Sequence, residues 1–210
     1  MTARLAASTA LALLLAGCAS FKSNLPQAQA YALRYAPLAP EVEAAGAPPA
    51  TARALPAAAP ATQPSLVVLR PVAAPGCDDD HVTLLREGQK LDHYAGARWA
   101  APFPEALQQV AIEALRARGG YRAVLGDAVP FAAEQALQLE IVRCSAVYAG
   151  AGAPEVQLEL VASFGRRDDR RLLATQVLEA RAQAADNRLG AVAAAFERAV
   201  NSALAQLTLP

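Results

Sequence analysis

The stretch from Gln135 to Arg181 constrains the fold most. Leu137, Leu139 and Ile141 recur at every second position. Gly150–Pro154 interrupts them, and then Val156, Leu158, Leu160, Ala162 and Phe164 alternate with Gln157, Glu159, Val161 and Ser163. Successive strand side chains point to opposite faces, so a period of two buries one face and leaves the other wet. Arg166–Arg171 is a charged hairpin loop, and Leu172–Arg181 returns as a partner strand. A sheet with one apolar face must be covered, and the flanking sequence supplies the cover.

Two helices are expected. Pro102–Arg118 has Pro104 and Glu105 in its first turn, where a missing donor and a negative charge are both favourable. Leu107, Val110, Ala111, Ala114 and Leu115 make one apolar stripe, and Gly119-Gly120 stops the helix. Asp186 or Asn187 is placed to cap the second helix, whose stripe includes Leu189, Val192, Phe196, Val200 and Leu204. Further strands are read at Tyr31–Tyr35, Ser65–Arg70, His81–Arg86, Gln89–Tyr94 and Tyr121–Leu125, with Glu87-Gly88 as a tight turn. The expected fold class is α+β: a single mixed or mainly antiparallel sheet with two helices packed on one face.

The beginning of the chain carries a different message. Arg4 precedes an uncharged run from Leu5 to Ala16, about 12 residues, where spanning a bilayer by helix takes roughly 18 or more. A basic start, a short apolar run and small residues form a secretory signal. Leu15-Ala16-Gly17-Cys18 resembles the bacterial lipobox, which implies cleavage before Cys18 and lipidation of its thiol and amino group. More than one acyl chain makes a stable anchor. Residue 19 is Ala and not Asp, which by resemblance to Gram-negative lipoproteins favours transfer to the outer membrane. The expected organisation is a signal peptide at 1–17, a tether at 18–30 and one domain at 31–210. Within that domain, Ala/Pro-rich sequence runs from about 37 to 64 as an insertion.

Composition excludes some functions. Lys+Arg and Asp+Glu are equal at 19 each, so there is no electrostatic case for nucleic acid. Past the signal the compartment is oxidising, and Cys77 and Cys144 either pair or sit as two separate buried thiols. Asp78-Asp-Asp-His81 is the most chemistry-like cluster, but no second cluster adjoins it in sequence, and a solvated turn without metal is the expectation. His81 and His93 are the only histidines. No nucleophile elbow, zinc-protease motif or phosphate loop is present, so no catalytic residue and no cofactor are expected.

Four features carry a family resemblance: the lipobox, Tyr31-Ala-Leu-Arg-Tyr35, Leu66-Val-Val-Leu-Arg-Pro71, and Gln89–Pro104 with its Tyr-x-x-x-Arg-Trp-Ala-x-Pro spacing. They resemble the ABC-type transport auxiliary lipoproteins, the PqiC-like group. The resemblance implies a non-enzymatic, periplasm-facing outer-membrane lipoprotein that partners an MCE-domain protein of an ABC lipid transport system. It also implies assembly as a homo-oligomer in some members. Tyr94, Arg98 and Trp99 are then candidate partner contacts. Trp99 has a second reading as a wedge between a strand end and the first helix, and Arg98 as a solvated or carboxylate-paired side chain. The rival functions are an accessory lipoprotein activating a cell-wall synthase, and a periplasmic carrier holding lipid in a cavity.

Overall fold

A computed structural model describes residues 28–37, 62–86 and 90–210. The signal segment, Cys18, most of the Ala/Pro-rich stretch and the Glu87-Gly88 turn lie outside the described residues. In chain order the elements are β1 (Gln29–Tyr31), β2 (Ser65–Val68), β3 (Val72–Ala73), β4 (His81–Arg86), β5 (Lys90–Trp99), α1 (Phe103–Arg118), β6 (Ala123–Gly126), β7 (Gln135–Val147), β8 (Glu155–Arg166), β9 (Leu172–Gln183) and α2 (Leu189–Ala205).

Strand β7 is the spine of a mixed sheet. One of its edges pairs antiparallel with β8 along almost its whole length, and β8 pairs antiparallel with β9. Its other edge takes three short strands in succession, all parallel: β2 at Gln135–Leu137, β3 at Glu140–Ile141 and β4 at Ala146–Val147. Outside these lie β6, parallel to β2, and β5, antiparallel to β4. Strand β1 closes the path, parallel to β5.

The alternation in β8 works as the sequence implies: Val156, Leu158, Leu160, Ala162 and Phe164 are all buried, while the intervening residues stay partly exposed. Helix α2 covers β8 and β9, α1 covers β6 and β2, and the two helices touch. This is an α+β sheet with helices packed on it. The Arg116 guanidinium donates to the Val124 carbonyl of β6, while Arg118 donates to Ala205 and Leu207. The second arginine thereby satisfies the Ala205 carbonyl, which the end of α2 leaves without an intrahelical partner, and the Leu207 carbonyl just beyond it.

Three local expectations change. The Tyr31–Tyr35 strand lies earlier, at Gln29–Tyr31. Its ladder stops because β5 ends at Trp99, opposite Tyr31, and the neighbouring chain turns into α1. Tyr31, Leu33 and Tyr35 still face the core half-buried, but residues past Tyr31 are held by a side chain. Asn201 of α2 accepts from the Ala36 amide at 2.9 Å and donates to the Arg34 carbonyl at 2.9 Å.

The strand expected at Gln89–Tyr94 continues to Trp99. The pairing jumps from Thr83 opposite His93 to His81 opposite Arg98, so β5 carries extra residues in a bulge around Gly96, whose φ is +79°. A bulge bends a strand and re-aims its side chains. Finally, α2 has Arg188 at its N-cap and no side-chain cap. Asp186 serves the preceding turn instead, accepting from the Arg188 amide at 2.7 Å and from its guanidinium.

Candidate functional site

The turn Gly76–Asp80 joins β3 to β4 and brings together several residues that are scattered in sequence. Gly76 has φ +84°, a conformation that favours glycine, and a Cβ there would also push aside the exposed Leu91 side chain, whose Cδ2 it would meet at 2.7 Å. Cys77 is disulfide-bonded to Cys144 of β7, with α-carbons 5.9 Å apart. The bond ties the turn to the spine of the sheet. Two backbone bonds tie it to the end of β5 and the start of α1: the Trp99 amide donates to Asp80 O at 2.7 Å and the Phe103 amide to Asp79 O at 2.8 Å. The second satisfies a first-turn helix donor that has no intrahelical partner.

Trp99 is 3% exposed. Its ring packs 5.7 Å from Phe103 and 5.2 Å, edge-on, from Phe196. It is the wedge between β5, α1 and α2. As a partner contact it is therefore corrected: a ring enclosed by both helices offers no surface to another protein. Arg98, one residue earlier, points to the opposite face and is about half exposed, with its guanidinium 3.0 Å from Asp80. Exposed pairs of this kind add little stability, so Arg98 remains available to a partner. Tyr94 is half-buried, its hydroxyl 2.9 Å from that of Tyr148. Burial, reinforced by the Tyr148 hydroxyl, pushes its ionisation well above the usual phenol range, so it stays neutral. Arg86 lies over the Tyr148 ring, 5.7 Å from its centre.

The acidic turn is more organised than its sequence implies. Asp79 Oδ1 accepts the His81 amide and Oδ2 meets His81 Nδ1, both at 2.8 Å. Ligand-capable atoms of Asp79, Asp80 and His81 all lie within 4.8 Å of one another. The His81 and His93 rings are 4.6 Å apart. Sequence reading missed this meeting because it left the turn without a neighbouring cluster. The available signal was the hairpin register: Thr83 pairs with His93, and His81 shares Thr83's face.

A second surface lies at the far end of the sheet. The Arg166–Arg171 loop sits beside the segment before β7, with the Arg167 amide donating to Glu134 O at 2.9 Å. Phe131 is 71% exposed and Leu172 63%. Large exposed apolar side chains beside arginines are the composition of a contact surface. Phe131 was not singled out from the sequence, since a lone phenylalanine in a loop carries no periodic signal. Glu134 accepts from the Ser65 hydroxyl and amide and pairs with Arg122 at 2.8 Å. The Ser65 hydrogen bonds, with Arg122 behind them, hold its carboxyl down to about 2.

The fold defines a class shared with solved structures. A Xanthomonas campestris protein of the DUF330 family is 27% identical, with a TM-score of 0.61 over 67% of this chain and 79% of that one. An uncharacterised protein at 11% identity has a TM-score of 0.54 over 68% of this chain and 88% of its own, and shows likeness of fold alone. No curated protein matches the sequence. Residues 47–208 match the family described as the ABC-type transport auxiliary lipoprotein component, and the chain belongs to that family.

Proposed function

We propose that this chain is a non-enzymatic lipoprotein of an MCE-type ABC lipid transport system. It is anchored through Cys18 in the outer membrane, faces the periplasm and docks with the periplasmic MCE protein. The observation that carries this reading is the family match across residues 47–208, which spans both helices and all strands but β1. The lipobox at Cys18 supports the anchor, and Ala19 supports the outer membrane. The exposed end of the sheet, with Phe131, Leu172 and the Arg166–Arg171 loop, supports docking there, and Arg98 offers a second contact.

The rival reading, activation of a cell-wall synthase, draws on the Ala/Pro-rich stretch as a long reach. That stretch lies between β1 and β2, two strands of one sheet. It therefore does not stand ahead of the domain as a spacer. About ten residues separate Cys18 from β1, and a chain of that length reaches at most on the order of 35 Å. A domain so tethered waits near its membrane for a partner to arrive.

Affinity capture from solubilised envelopes tests the reading. Recovery of an MCE-domain protein is expected, reduced at least tenfold by Phe131→Asp combined with Leu172→Asp. Recovery of cell-wall synthases without an MCE protein would replace this reading with the rival. Cys18→Ala is expected to abolish incorporation of labelled palmitate into the chain.

A further inference from the structure

The geometry points to a zinc-class cation site in which His81, His93 and Asp79 are the protein ligands. The chain has two histidines, and folding places both on one face of the β4–β5 ladder, with ring centres 4.6 Å apart. They come from different strands, so the juxtaposition is a product of register and not of a local acidic turn. A cleft of about 100 Å³ opens between them, lined by Gly76, Asp79, Thr83, Leu91 and Asp92 as well as the two rings. A water takes about 30 Å³ of liquid, so an ion with coordinated waters fits.

Ligand-capable atoms of Asp79, Asp80 and His81 lie within 4.8 Å of one another, and His93, its ring 4.6 Å from that of His81, joins them by a turn of its side chain. Donors about 2.0–2.1 Å from a tetrahedral zinc lie roughly 3.3 Å from one another. Asp79 Oδ2 is 2.8 Å and Asp80 Oδ1 3.7 Å from His81 Nδ1, on either side of that value. A cation at Nδ1 takes the tautomer with its hydrogen on Nε2. Asp80 is held by Arg98 at 3.0 Å, so it contributes less than Asp79, and solvent completes the shell. Two imidazoles with one carboxylate select zinc or its first-row neighbours over calcium or magnesium, which prefer oxygen ligands.

The turn is already fixed before any ion arrives. The Cys77–Cys144 bond, the two bonds from Trp99 and Phe103, and the Thr83 hydroxyl on Gly76 O all hold it. A bound ion would bridge this turn to β5, adding a second tie beside the bond from the Trp99 amide to Asp80 O.

The test is calorimetric titration of the full-length, detergent-solubilised protein, free of any histidine tag, with zinc chloride. One zinc per chain is expected, with calcium and magnesium giving no heat. His81→Ala and His93→Ala should each weaken binding at least tenfold, with unchanged melting in chelator. On the wild type, zinc should protect both histidines from diethyl pyrocarbonate, a measurement that needs no variant. Absence of zinc binding overturns the site. So does binding that survives both substitutions with the two rings still open to the reagent.

Discussion

Replacing Trp99 by alanine tests the central packing of this fold. The ring is 3% exposed and lies against Phe103 at 5.7 Å and Phe196 at 5.2 Å, and those two rings are themselves 6.2 Å apart. Truncating a buried aromatic costs about 3–5 kcal/mol, combining lost transfer energy with the cavity left behind. The upper part of that range is expected here. Two aromatic contacts are lost, each worth about 0.5–1.5 kcal/mol beyond area, and the hole sits between both helices and the sheet, where collapse is difficult. With a urea dependence of about 2 kcal/mol per molar, the midpoint falls by roughly 2 M. Trp99→Phe keeps a ring against both neighbours and is expected to lose less than half as much. Trp99 is the only tryptophan, so wild-type unfolding is followed by its emission, blue-shifted when folded, and the variants by far-UV circular dichroism. An unchanged midpoint in Trp99→Ala, with partner capture lost, would refute the packing argument and return Trp99 to the surface.

Three other perturbations have definite expected outcomes. Converting Cys77 and Cys144 to serine opens a loop of 67 residues, and chain entropy alone makes that worth about 4 kcal/mol; a lower urea midpoint is expected, with no free thiol at either position when the unreduced wild type is denatured. Asn201→Ala removes the bonds to Ala36 and Arg34, at a cost of about 1–3 kcal/mol; faster amide exchange confined to residues 32–37 distinguishes this from global loss. Glu134 has a carboxyl held below its ordinary value, to about 2. Its contribution is therefore present above the ordinary carboxylate range and is lost as pH falls through about 2. Glu134→Gln should flatten the acid limb of a stability-versus-pH curve, and an unchanged limb would show that the Ser65 bonds do not favour the ionised form.

Much of the fold is legible in the sequence because it rests on neighbours along the chain. The bounds of β7 and β4 follow from apolar periodicity, and those of α1 from prolines at one end and glycines at the other. Strand β8 runs one residue before and two beyond its apolar face. The site is less legible. The strand expected from the sequence ends at Tyr94, five residues short of Trp99, and nothing at positions 95–103 says that Phe196 of a distant helix closes over the tryptophan. The bulge at Gly96 is equally hidden, since a glycine in a short motif is compatible with a turn, a kink or a strand.

The division has a physical basis. By itself the sequence determined both helices, the long strands β7 to β9 and which face of each is apolar, because periodicity and caps act over two to four residues, while the two-residue β3 is too short to carry a period. Membership of the auxiliary lipoprotein family is written in the same local motifs. Only the tertiary structure decided what crosses those segments: that β1 stops at Tyr31 because its partner turns into a helix, that Cys77 reaches Cys144, and that His81 meets His93. These depend on strand register and on how helices seat on the sheet. Register is set by the sum of many weak contacts across the core, so no single residue announces it.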